Sequence, residues 1–350
     1  MSLKHSLRLG VVVIAGVAAI FALSASAGAQ LVTGPASPKA THIAYMSKVD
    51  GEADIYSMTT QGFTVMNLTH DKTVGLRADS EPAWSPDGQW IAFQRTGIKS
   101  PGTRLFLVRS DGSSLHALAP SSNLAASDMH PNWSPDGTKI VFASNRTGQF
   151  ELYVISVGLS PVTQNGATIR QLTFSGPNVD NLEPAWAPDG RSIAFVRHEW
   201  SMFPELPSVP RDSIYVLTLS SSAAHPMMYR ISDPGWGNSD CQPAWSGDSL
   251  LVAFESNRAG REDVFVVDRK GNGLMRITST KSNEFHPSWA SLGRELVLVS
   301  DRTGATEIYS VTVPPLGTTT PLPAMRQLTF DKAPKANPSL ERISFMVPAS

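Results

Sequence analysis

Short apolar runs alternate with polar turns along most of this chain. Typical runs are Trp90 to Phe93, Ile140 to Phe142 and Leu251 to Phe254. Runs of this length, rich in β-branched and aromatic residues and bounded by Gly, Pro, Asn and Asp, are typical of β-strands. Outside the N-terminus no stretch shows sustained helical periodicity. The pattern predicts an all-β protein.

One phrase recurs at intervals of about 50 residues. Three copies keep the form Pro-x-Trp-(Ser/Ala)-Pro-Asp-Gly, and two diverged copies follow: Pro82 to Gly88, Pro131 to Gly137, Pro184 to Gly190, Pro243 to Ser249 and Pro287 to Gly293. In each clear copy a short strand meets a turn, where Pro presets φ and Gly tolerates a positive φ. A repeat of this length predicts an array of similar supersecondary units.

Each unit contains four predicted strands. The Pro-x-Trp strand is followed by the apolar run, by a third strand such as Glu151 to Ile155, and by a fourth such as Arg170 to Thr173. Four-stranded antiparallel sheets repeated around an axis are propeller blades. We therefore predict a β-propeller.

The two ends of the chain complete one blade. The opening unit begins with Ile43 to Met46 and lacks its innermost strand, whereas Asn337 to Leu340 is a worn innermost strand without a complete blade. Joining them removes exposed sheet edges and predicts six four-stranded antiparallel blades over residues 42–350, closed by pairing of the N- and C-terminal segments. Ile343 to Val347 fits the same second-strand role, so which terminal segment completes this blade is left open.

The N-terminus has the pattern of a secretory signal peptide. Lys4 and Arg8 precede an apolar run from Leu9 to Leu23 and a small-residue stretch, Ala25 to Ala29. We predict a signal peptide over residues 1–29 and a linker over residues 30–41. A retained anchor is the alternative, but the run is shorter than the ~20 residues that a spanning helix needs. We expect a periplasmic or secreted protein without a membrane span once the signal is removed.

Charge and cysteine content narrow the function classes. The formal net charge is −1 at pH 7 and no basic run is present, which gives no electrostatic basis for nucleic-acid binding. Cys241 is the single cysteine, so no internal disulfide can form.

The repeated phrase resembles that of the TolB-like propellers, also called WD40-like (PD40) repeats. The resemblance covers about residues 42–348 and is specific for the fold rather than for an activity. It implies a binding propeller of the cell envelope with an envelope or secreted protein partner, such as the peptidoglycan-associated lipoprotein that some members bind. A periplasmic translocation protein of the family carries an α/β domain before its propeller, and only Gln30 to Thr41 stand before the first strand here.

A ring of polar residues is predicted at one end of the channel. The residue before each Pro-x-Trp strand is polar: Glu81, His130, Glu183, Gln242, His286 and Asn337. In a six-fold ring His130 and His286 are three blades apart and face each other. The ring is a candidate site for a polar small ligand. The alternative is that these side chains cap strand starts and hydrogen-bond between blades.

A second set of polar residues lies two positions earlier on the same strands. Its acidic members are candidate ligands for a divalent cation such as Ca²⁺: Asp79, Asp128, Asp240 and Glu284. Some oligogalacturonate lyases resemble this repeat and use a His-rich metal site. A metal-dependent carbohydrate-active enzyme is therefore the alternative function, although only two His belong to the ring.

The one large insertion, His198 to Arg211, is predicted on the same side as the ring. It contains Trp200, Met202 and Phe203, which we assign as candidate partner-binding residues. The alternative is that Trp200 and Phe203 fold back over the blade.

One short match to an enzyme motif is present. Gly247 to Leu250 reads as the GDSL esterase word, but it occupies the turn that reads Pro-Asp-Gly in other repeats. Without the accompanying Asp-x-x-His pair we assign Ser249 no catalytic role. The arginines of the polar turns, Arg146, Arg258 and Arg302, are expected to pair within or between blades. A non-catalytic binding propeller is the function that the sequence favours.

Overall fold

The computed structural model describes residues 42–49, 51–60, 63–70, 77–97, 102–118, 126–157, 168–200, 210–219, 227–290, 294–318, 324–331, 333 and 335–340. Within these residues every regular element is a β-strand. The strands form six sheets, each of four antiparallel strands. The predicted all-β class and the six four-stranded blades are confirmed.

The first three blades follow one another along the chain. Blade 1 opens with three strands: β1 (His42–Ser47), β2 (Asp54–Thr59) and β3 (Met66–Asn67). Blade 2 contains the next four: β4 (Arg77–Trp84), β5 (Trp90–Gly97), β6 (Thr103–Arg109) and β7 (His116–Ala117). Blade 3 has the same plan: β8 (Asp128–Trp133), β9 (Lys139–Ser144), β10 (Glu151–Ser156) and β11 (Ile169–Gln171).

The remaining blades repeat this order. Blade 4 has the longest middle strands: β12 (Val179–Trp186), β13 (Ser192–Trp200), β14 (Pro210–Thr218) and β15 (Met227–Arg230). Blade 5 follows it: β16 (Asp240–Trp245), β17 (Leu251–Ser256), β18 (Asp263–Asp268) and β19 (Met275–Arg276). Blade 6 comes next: β20 (Glu284–Trp289), β21 (Glu295–Ser300), β22 (Glu307–Thr312) and β23 (Arg326–Gln327).

The last strand returns to blade 1. β24 (Lys335–Leu340) pairs antiparallel with β1, with Ile43 opposite Leu340 and Ser47 opposite Lys335. The predicted closure between the two ends is therefore confirmed. The alternative segment, 343–347, lies outside the described residues.

The N-terminal predictions also fall outside the described part of the chain, because the signal peptide and linker occupy residues 1–41. Among the described residues no helix is long and apolar enough to cross a membrane.

The hydrophobic core is divided between adjacent blades. Trp245 of blade 5 is fully buried and packs with Val196 and Ile214 of blade 4. Its indole N–H donates to the carbonyl of Ala185 at 3.0 Å, which satisfies its one polar group. Replacing a buried aromatic side chain of this size by Ala typically costs about 3–5 kcal/mol. The repeated Trp therefore fastens each blade to the preceding one.

The polar groups of the Pro-Asp-Gly turns form hydrogen bonds within the turn itself. In blade 2 the Ser85 hydroxyl donates to Asp87 Oδ1 at 2.5 Å, and the Gln89 N–H donates to the same oxygen at 3.0 Å. Gly88 has a φ of 67°, a conformation that glycine adopts without steric cost. The same side-chain bonds recur between Ser134, Asp136 and Thr138. The repeat therefore specifies this turn.

Strand order separates two ends of the propeller. We call the end that holds the Pro-Asp-Gly turns the turn face. Because successive strands are antiparallel, the second-to-third connections and the links between blades lie at the opposite end, the mouth face. The innermost strands contact one another in a closed cycle: β4, β8, β12, β16, β20 and β24.

Candidate functional site

Each innermost strand carries a β-bulge at the same place. In β4 the register with β5 shifts between Ser80 and Ala83, and the same shift occurs in β8, β12, β16 and β20. The bulged residue has a φ of 52° to 54° in all five: Glu81, His130, Glu183, Gln242 and His286. A left-handed conformation in a residue other than glycine costs about 1–3 kcal/mol. Its fivefold repetition shows that the fold maintains it.

A proline follows each bulged residue: Pro82, Pro131, Pro184, Pro243 and Pro287. Proline has no N–H, so it leaves no unpaired donor where the ladder is interrupted. A bulge re-aims the side chain that it carries. Here it separates the bulged residue from the regular in-and-out alternation of the strand. In β24 the register with β1 also shifts, around Asn337, whose side chain lies outside the described part of the structure.

Both histidines of the ring have lowered pKa values. Burial, with a smaller contribution from repulsion by the His286 imidazole, lowers the pKa of His130 to about 4. Burial also lowers the pKa of His286 to about 4. Both imidazoles are therefore neutral at pH 7.

Three carboxyl groups of the innermost and second strands influence one another electrostatically. Burial raises the pKa of Glu81 to about 8, and the charges of Glu183 and Glu255 add to the rise. Burial raises the pKa of Glu183 to about 7, although the Gln242 N–H opposes the change. Burial raises the pKa of Glu255 to about 7 as well. Each side chain keeps part of its surface accessible, as expected for a group that faces a central channel.

Glu255 is a member of this group that the sequence analysis missed. It lies on β17 directly after the buried Phe254, and Gln94 occupies the same position on β5. The repeats of the phrase do not include this position, so the search for ring residues passed over it. The available signal was the interruption of an otherwise apolar strand by a charged or amide side chain.

Polar side chains at the mouth also tie adjacent blades together. The donors are backbone amides. The His130 backbone N–H donates to Gln94 Oε1 at 3.0 Å, that of Gln242 to Glu183 Oε2 at 2.7 Å, and that of His286 to Glu255 Oε2 at 2.8 Å. Each bond crosses from one blade to the next. The alternative role predicted for the ring side chains, hydrogen bonding between blades, is present at Glu183, whereas at His130 and His286 the ring residue supplies its backbone N–H and the acceptor side chain belongs to Gln94 or Glu255.

These bonds leave acceptor capacity at the centre. A carboxylate has two oxygens and about four lone-pair sites. Glu183 accepts from the backbone and the side chain of Gln242, and Glu255 accepts from the His286 backbone N–H, so both keep lone-pair sites that these bonds do not use. Neither Glu183 nor Glu255 forms an ion pair with any residue that the structure describes. The group formed by Glu81, Glu183, Glu255, His130 and His286, which we call the central ring, can accept hydrogen bonds from a ligand.

The acids two positions earlier have a different environment. Each is paired with an arginine of its own blade: Asp79 with Arg95 at 2.6 Å, Asp128 with Arg146 at 2.8 Å, Glu284 with Arg302 at 3.1 Å, and Asp240 with Arg258. We call these acids the paired set. The prediction that Arg146, Arg258 and Arg302 pair structurally is confirmed. In each pair the arginine and its acid belong to the same blade.

The paired set is not gathered into one site. Its members stand on different blades, each against its arginine, which is the structural reason that they do not converge as the cation hypothesis required. In the described part of the chain, no group of three or more His, Cys, Asp and Glu side chains is arranged to hold a metal ion. At Asp240 burial outweighs the effect of Arg258 and raises the pKa.

Ser249 of the GDSL word has a structural environment. It takes the glycine position of the turn, with a φ of 60°, and is buried. Its hydroxyl oxygen accepts a hydrogen bond from the Asp189 N–H of blade 4 at 2.9 Å. The serine thus joins two blades at the turn face, away from the central ring.

Exposed aromatic side chains cluster around blade 4 on the mouth face. Trp200 ends β13 and is 38% exposed; Phe174, in the link that enters blade 4, is 64% exposed, and Trp236, in the link that leaves it, is 49% exposed. Met202 and Phe203, the other predicted partner-binding residues, lie outside the described residues. We call Phe174, Trp200 and Trp236 the aromatic surface.

Backbone contacts hold this surface together. The Trp200 N–H donates to the Asn178 carbonyl at 3.1 Å, which joins β13 to the link before it. Pro210, opposite Trp200 in the sheet, accepts from the Gly237 N–H at 3.1 Å, beside Trp236. The Arg211 guanidinium lies 4.6 Å from the centre of the Trp236 ring. The sequence analysis identified Trp200 but missed Phe174 and Trp236, which lie in links rather than in the insertion.

Comparison with known proteins gives several relatives that are named TolB. No family model matches the chain. A Tol-Pal system protein TolB of Francisella tularensis subsp. mediasiatica is 27% identical over 253 residues, which cover 71% of this chain and 52% of the relative. A Protein TolB homolog of Chlorobium luteolum is 26% identical over 49% of this chain and 34% of its own length. The matched part therefore spans about half or less of these relatives.

Solved structures agree on the fold. TolB from Acinetobacter baumannii superposes with a TM-score of 0.63 and 18% identity, over 86% of this chain and 66% of that one. At this identity the likeness shows the fold alone. Together with the sequence relatives and the six blades, it confirms the resemblance on which the fold was predicted.

Proposed function

We propose that this six-bladed β-propeller, which is similar to TolB, is a non-catalytic protein of the cell envelope, periplasmic or secreted, that binds a protein partner at its mouth face. Its TolB relatives are named for the Tol-Pal system, which supports a partner within the envelope. The peptidoglycan-associated lipoprotein of that system is the first partner to test.

One observation carries the proposal: the mouth face holds both the aromatic surface and the central ring. Protein interfaces combine apolar and aromatic anchors with surrounding polar groups. Trp200 and Trp236 supply apolar area with an indole N–H that can donate, and Arg211 supplies a cation beside Trp236. The turn face, in contrast, consists largely of turns whose polar atoms bond to each other.

The central ring adds a place for a polar group of the partner or for a small polar ligand. Its carboxyl groups titrate near neutral pH, with pKa values of about 7 to 8, and its imidazoles are neutral there. A donor group such as an ammonium, guanidinium or hydroxyl finds acceptors at this position. A cationic group binds the ionised carboxylates more strongly than the protonated carboxyl groups. Its binding is therefore expected to strengthen as pH rises from 6 to 8, where these groups lose their protons.

The enzyme alternative has less support. The one serine in an esterase-like word lies at the turn face with its hydroxyl hydrogen-bonded to the preceding blade. A carbohydrate-active enzyme with a His-rich metal site would rest on the two imidazoles of the central ring, which form no three-ligand group with the described acids. The binding propeller is therefore our proposal.

An affinity measurement with matched variants tests it. The purified protein is titrated with peptidoglycan-associated lipoprotein from the same organism by calorimetry, alongside Trp200→Ala, Trp236→Ala and Phe63→Ala. Phe63 is 71% exposed in the β2–β3 connection of the turn face, which makes it a matched control. We expect each Trp variant to weaken binding by about tenfold or more, since truncating an aromatic anchor costs about 2 kcal/mol. Full binding by both Trp variants, with loss in Phe63→Ala, would contradict the proposal.

A further inference from the structure

The outermost strand of blade 4 differs from its counterparts. In the other blades the outermost strands, β3, β7, β11, β19 and β23, contain two or three residues, whereas β15 contains four. All four residues of β15 are exposed. Very short edge strands are one way in which proteins avoid pairing with other chains. Blade 4 lacks that protection.

The backbone of β15 has pairing groups directed outward. The Ile231 N–H donates to the Ile214 carbonyl at 2.8 Å, and Tyr229 stands opposite Val216. Antiparallel strands alternate between hydrogen-bonded and non-hydrogen-bonded pairs. Met227 and Tyr229 therefore direct their N–H and C=O groups to β14, whereas Met228 and Arg230 direct theirs away from the sheet.

The side chains of this edge are mostly apolar. Met227 is 76% exposed, Met228 39% and Tyr229 36%. The single charged residue, Arg230, has a partner in Asp233 at 2.7 Å, so its charge is compensated. Edges that resist pairing carry uncompensated lysine, proline or an inward charge, and none of these occurs within Met227–Arg230.

We propose that β15 pairs with β15 of a second copy of this chain around a two-fold axis. With Tyr229 on the axis, Met228 of one copy lies opposite Arg230 of the other, and both residues have outward backbone groups. The pairing is self-complementary, as a two-fold interface must be, and forms four backbone hydrogen bonds. Tyr229 faces its own copy, an aromatic cross-strand pair that stabilises sheets.

Electrostatics favour a second copy as the occupant, and the small size of the edge limits the strength of the contact. Because Asp233 compensates Arg230, the two-fold brings no uncompensated arginines together. Stable interfaces bury about 1,200–2,000 Å² in total, and a four-residue edge supplies only a part of that. We therefore expect a weak, concentration-dependent dimer that joins two blades into one eight-stranded sheet.

Sedimentation velocity of the purified protein over two decades of concentration tests the dimer. Met228→Lys places an uncompensated charge on the edge, and its matched control is Met66→Lys on β3, where Met66 is 42% exposed. We expect the original protein and Met66→Lys to shift from monomer to dimer alike, and Met228→Lys to remain monomeric with an unchanged Tm. If Met228→Lys fails to fold, Met228→Pro serves instead, because it removes an outward N–H that β14 does not use.

Hydrogen exchange of the unmodified protein identifies the contact directly. The Met228 and Arg230 amides should become more protected as concentration rises, whereas Met227 and Tyr229, already bonded to β14, should change little. A protein that is monomeric throughout, or an association that Met228→Lys leaves intact, overturns the proposal. Protection of the same amides only after a different protein is added also overturns it, and would assign the edge to an extended segment of that protein.

Discussion

Two sets of acids lie two residues apart on the same innermost strands, yet their environments are opposite. Asp79 is buried between Arg77 and Arg95, whereas Glu81 lies at the centre beside other carboxyl groups. On blade 5 Asp240 meets Arg258, while Gln242 interacts with Glu183 of blade 4. The bulge at the second position gives its side chain a different direction from that of the acid two residues earlier. The paired set stabilises the blades, and the central ring is left with the capacity to bind.

The comparison also explains why residue type alone misled the sequence analysis. Acids at one repeated position suggested a shared cation site, but their arginine partners are provided later in the same blade: sixteen residues later for Asp79 and eighteen for the others, as in Asp128 with Arg146. A carboxylate with a buried arginine partner is already neutralised. The residue two positions later, which the bulge re-aims, takes no part in the arginine pairs of the paired set.

Removing β24 should have the largest effect, because it deletes the closing strand together with Lys335 and Asn337, which occupy the positions on that strand equivalent to Asp79 and Glu81 of β4. Lys335, at the paired position, is buried and lies 3.4 Å from Glu307. A chain that ends at residue 334 exposes the edge of β1 and the cores beside it. We expect the cooperative thermal transition to be lost or shifted down by tens of degrees, as measured by calorimetry. An unchanged Tm and solubility would contradict the closed ring.

Breaking one member of the paired set should have the next largest effect. Asp79→Ala leaves Arg77 and Arg95, which are 8% and 14% exposed, without their shared carboxylate. Removing one partner of a buried ion pair costs about 3–5 kcal/mol. We expect the free energy of unfolding in denaturant titration to fall by about 3 kcal/mol. The control is Asp87→Ala in the exposed turn of the same blade, which should cost about 1 kcal/mol.

Neutralising a carboxyl group of the central ring should raise the free energy of unfolding at high pH, whereas breaking a member of the paired set lowers it. Because the pKa of Glu81 is raised to about 8, the folded chain holds more protons than the unfolded chain between about pH 4.5 and 8. The stability that protonation provides is complete below this window and is lost as pH rises through it. The lowered pKa values of His130 and His286, about 4, oppose this trend only between about pH 4 and 6.5.

Glu81→Gln should therefore flatten the pH dependence. Each carboxyl group contributes a slope of up to about 1.4 kcal/mol per pH unit. We expect the free energy of unfolding to fall from pH 6.5 to 8 in the original protein and to fall less steeply in Glu81→Gln. Glu295→Gln changes an exposed acid of β21 and serves as the control. A steeper fall in Glu81→Gln would contradict the assignment of a buried carboxyl.

The smallest expected effect concerns the two histidines. His286→Ala removes the repulsion that lowers the pKa of His130, while burial, the larger cause, remains. The pKa of His130 should rise from about 4 by a fraction of a unit and stay below 6.5. Titration of the imidazole signals by NMR measures this change. No change at all would show that the two rings do not face each other across the axis.

Much of the fold could be predicted from the repeated phrase. The Pro-x-Trp strand, the Pro-Asp-Gly turn and the apolar run define each blade locally, and the missing innermost strand of blade 1 predicted its pairing with Asn337 to Leu340. Strand order and blade number also predict that His130 and His286 face each other across the axis, and this stays a prediction. These are properties of the repeat rather than of tertiary detail.

The rest of the site depends on contacts between non-equivalent positions. Glu255 and Gln94 belong to second strands, and the bonds that they accept come from the next blade. The exposure of Phe174 and Trp236 depends on how the links to and from blade 4 lie over the mouth face. Neither feature repeats six times, so the periodicity that predicts the fold contains no signal for it.

Site-specific photo-crosslinking in the envelope tests the central claim most directly. A photoreactive phenylalanine analogue replaces Phe174 or Trp236 on the mouth face, or Phe63 on the turn face, one at a time. All three side chains are exposed, at 64%, 49% and 71%, so reactivity is matched. We expect a protein adduct from positions 174 and 236 and none from 63. An adduct from position 63, with none from 174 or 236, would contradict a binding propeller that uses its mouth face.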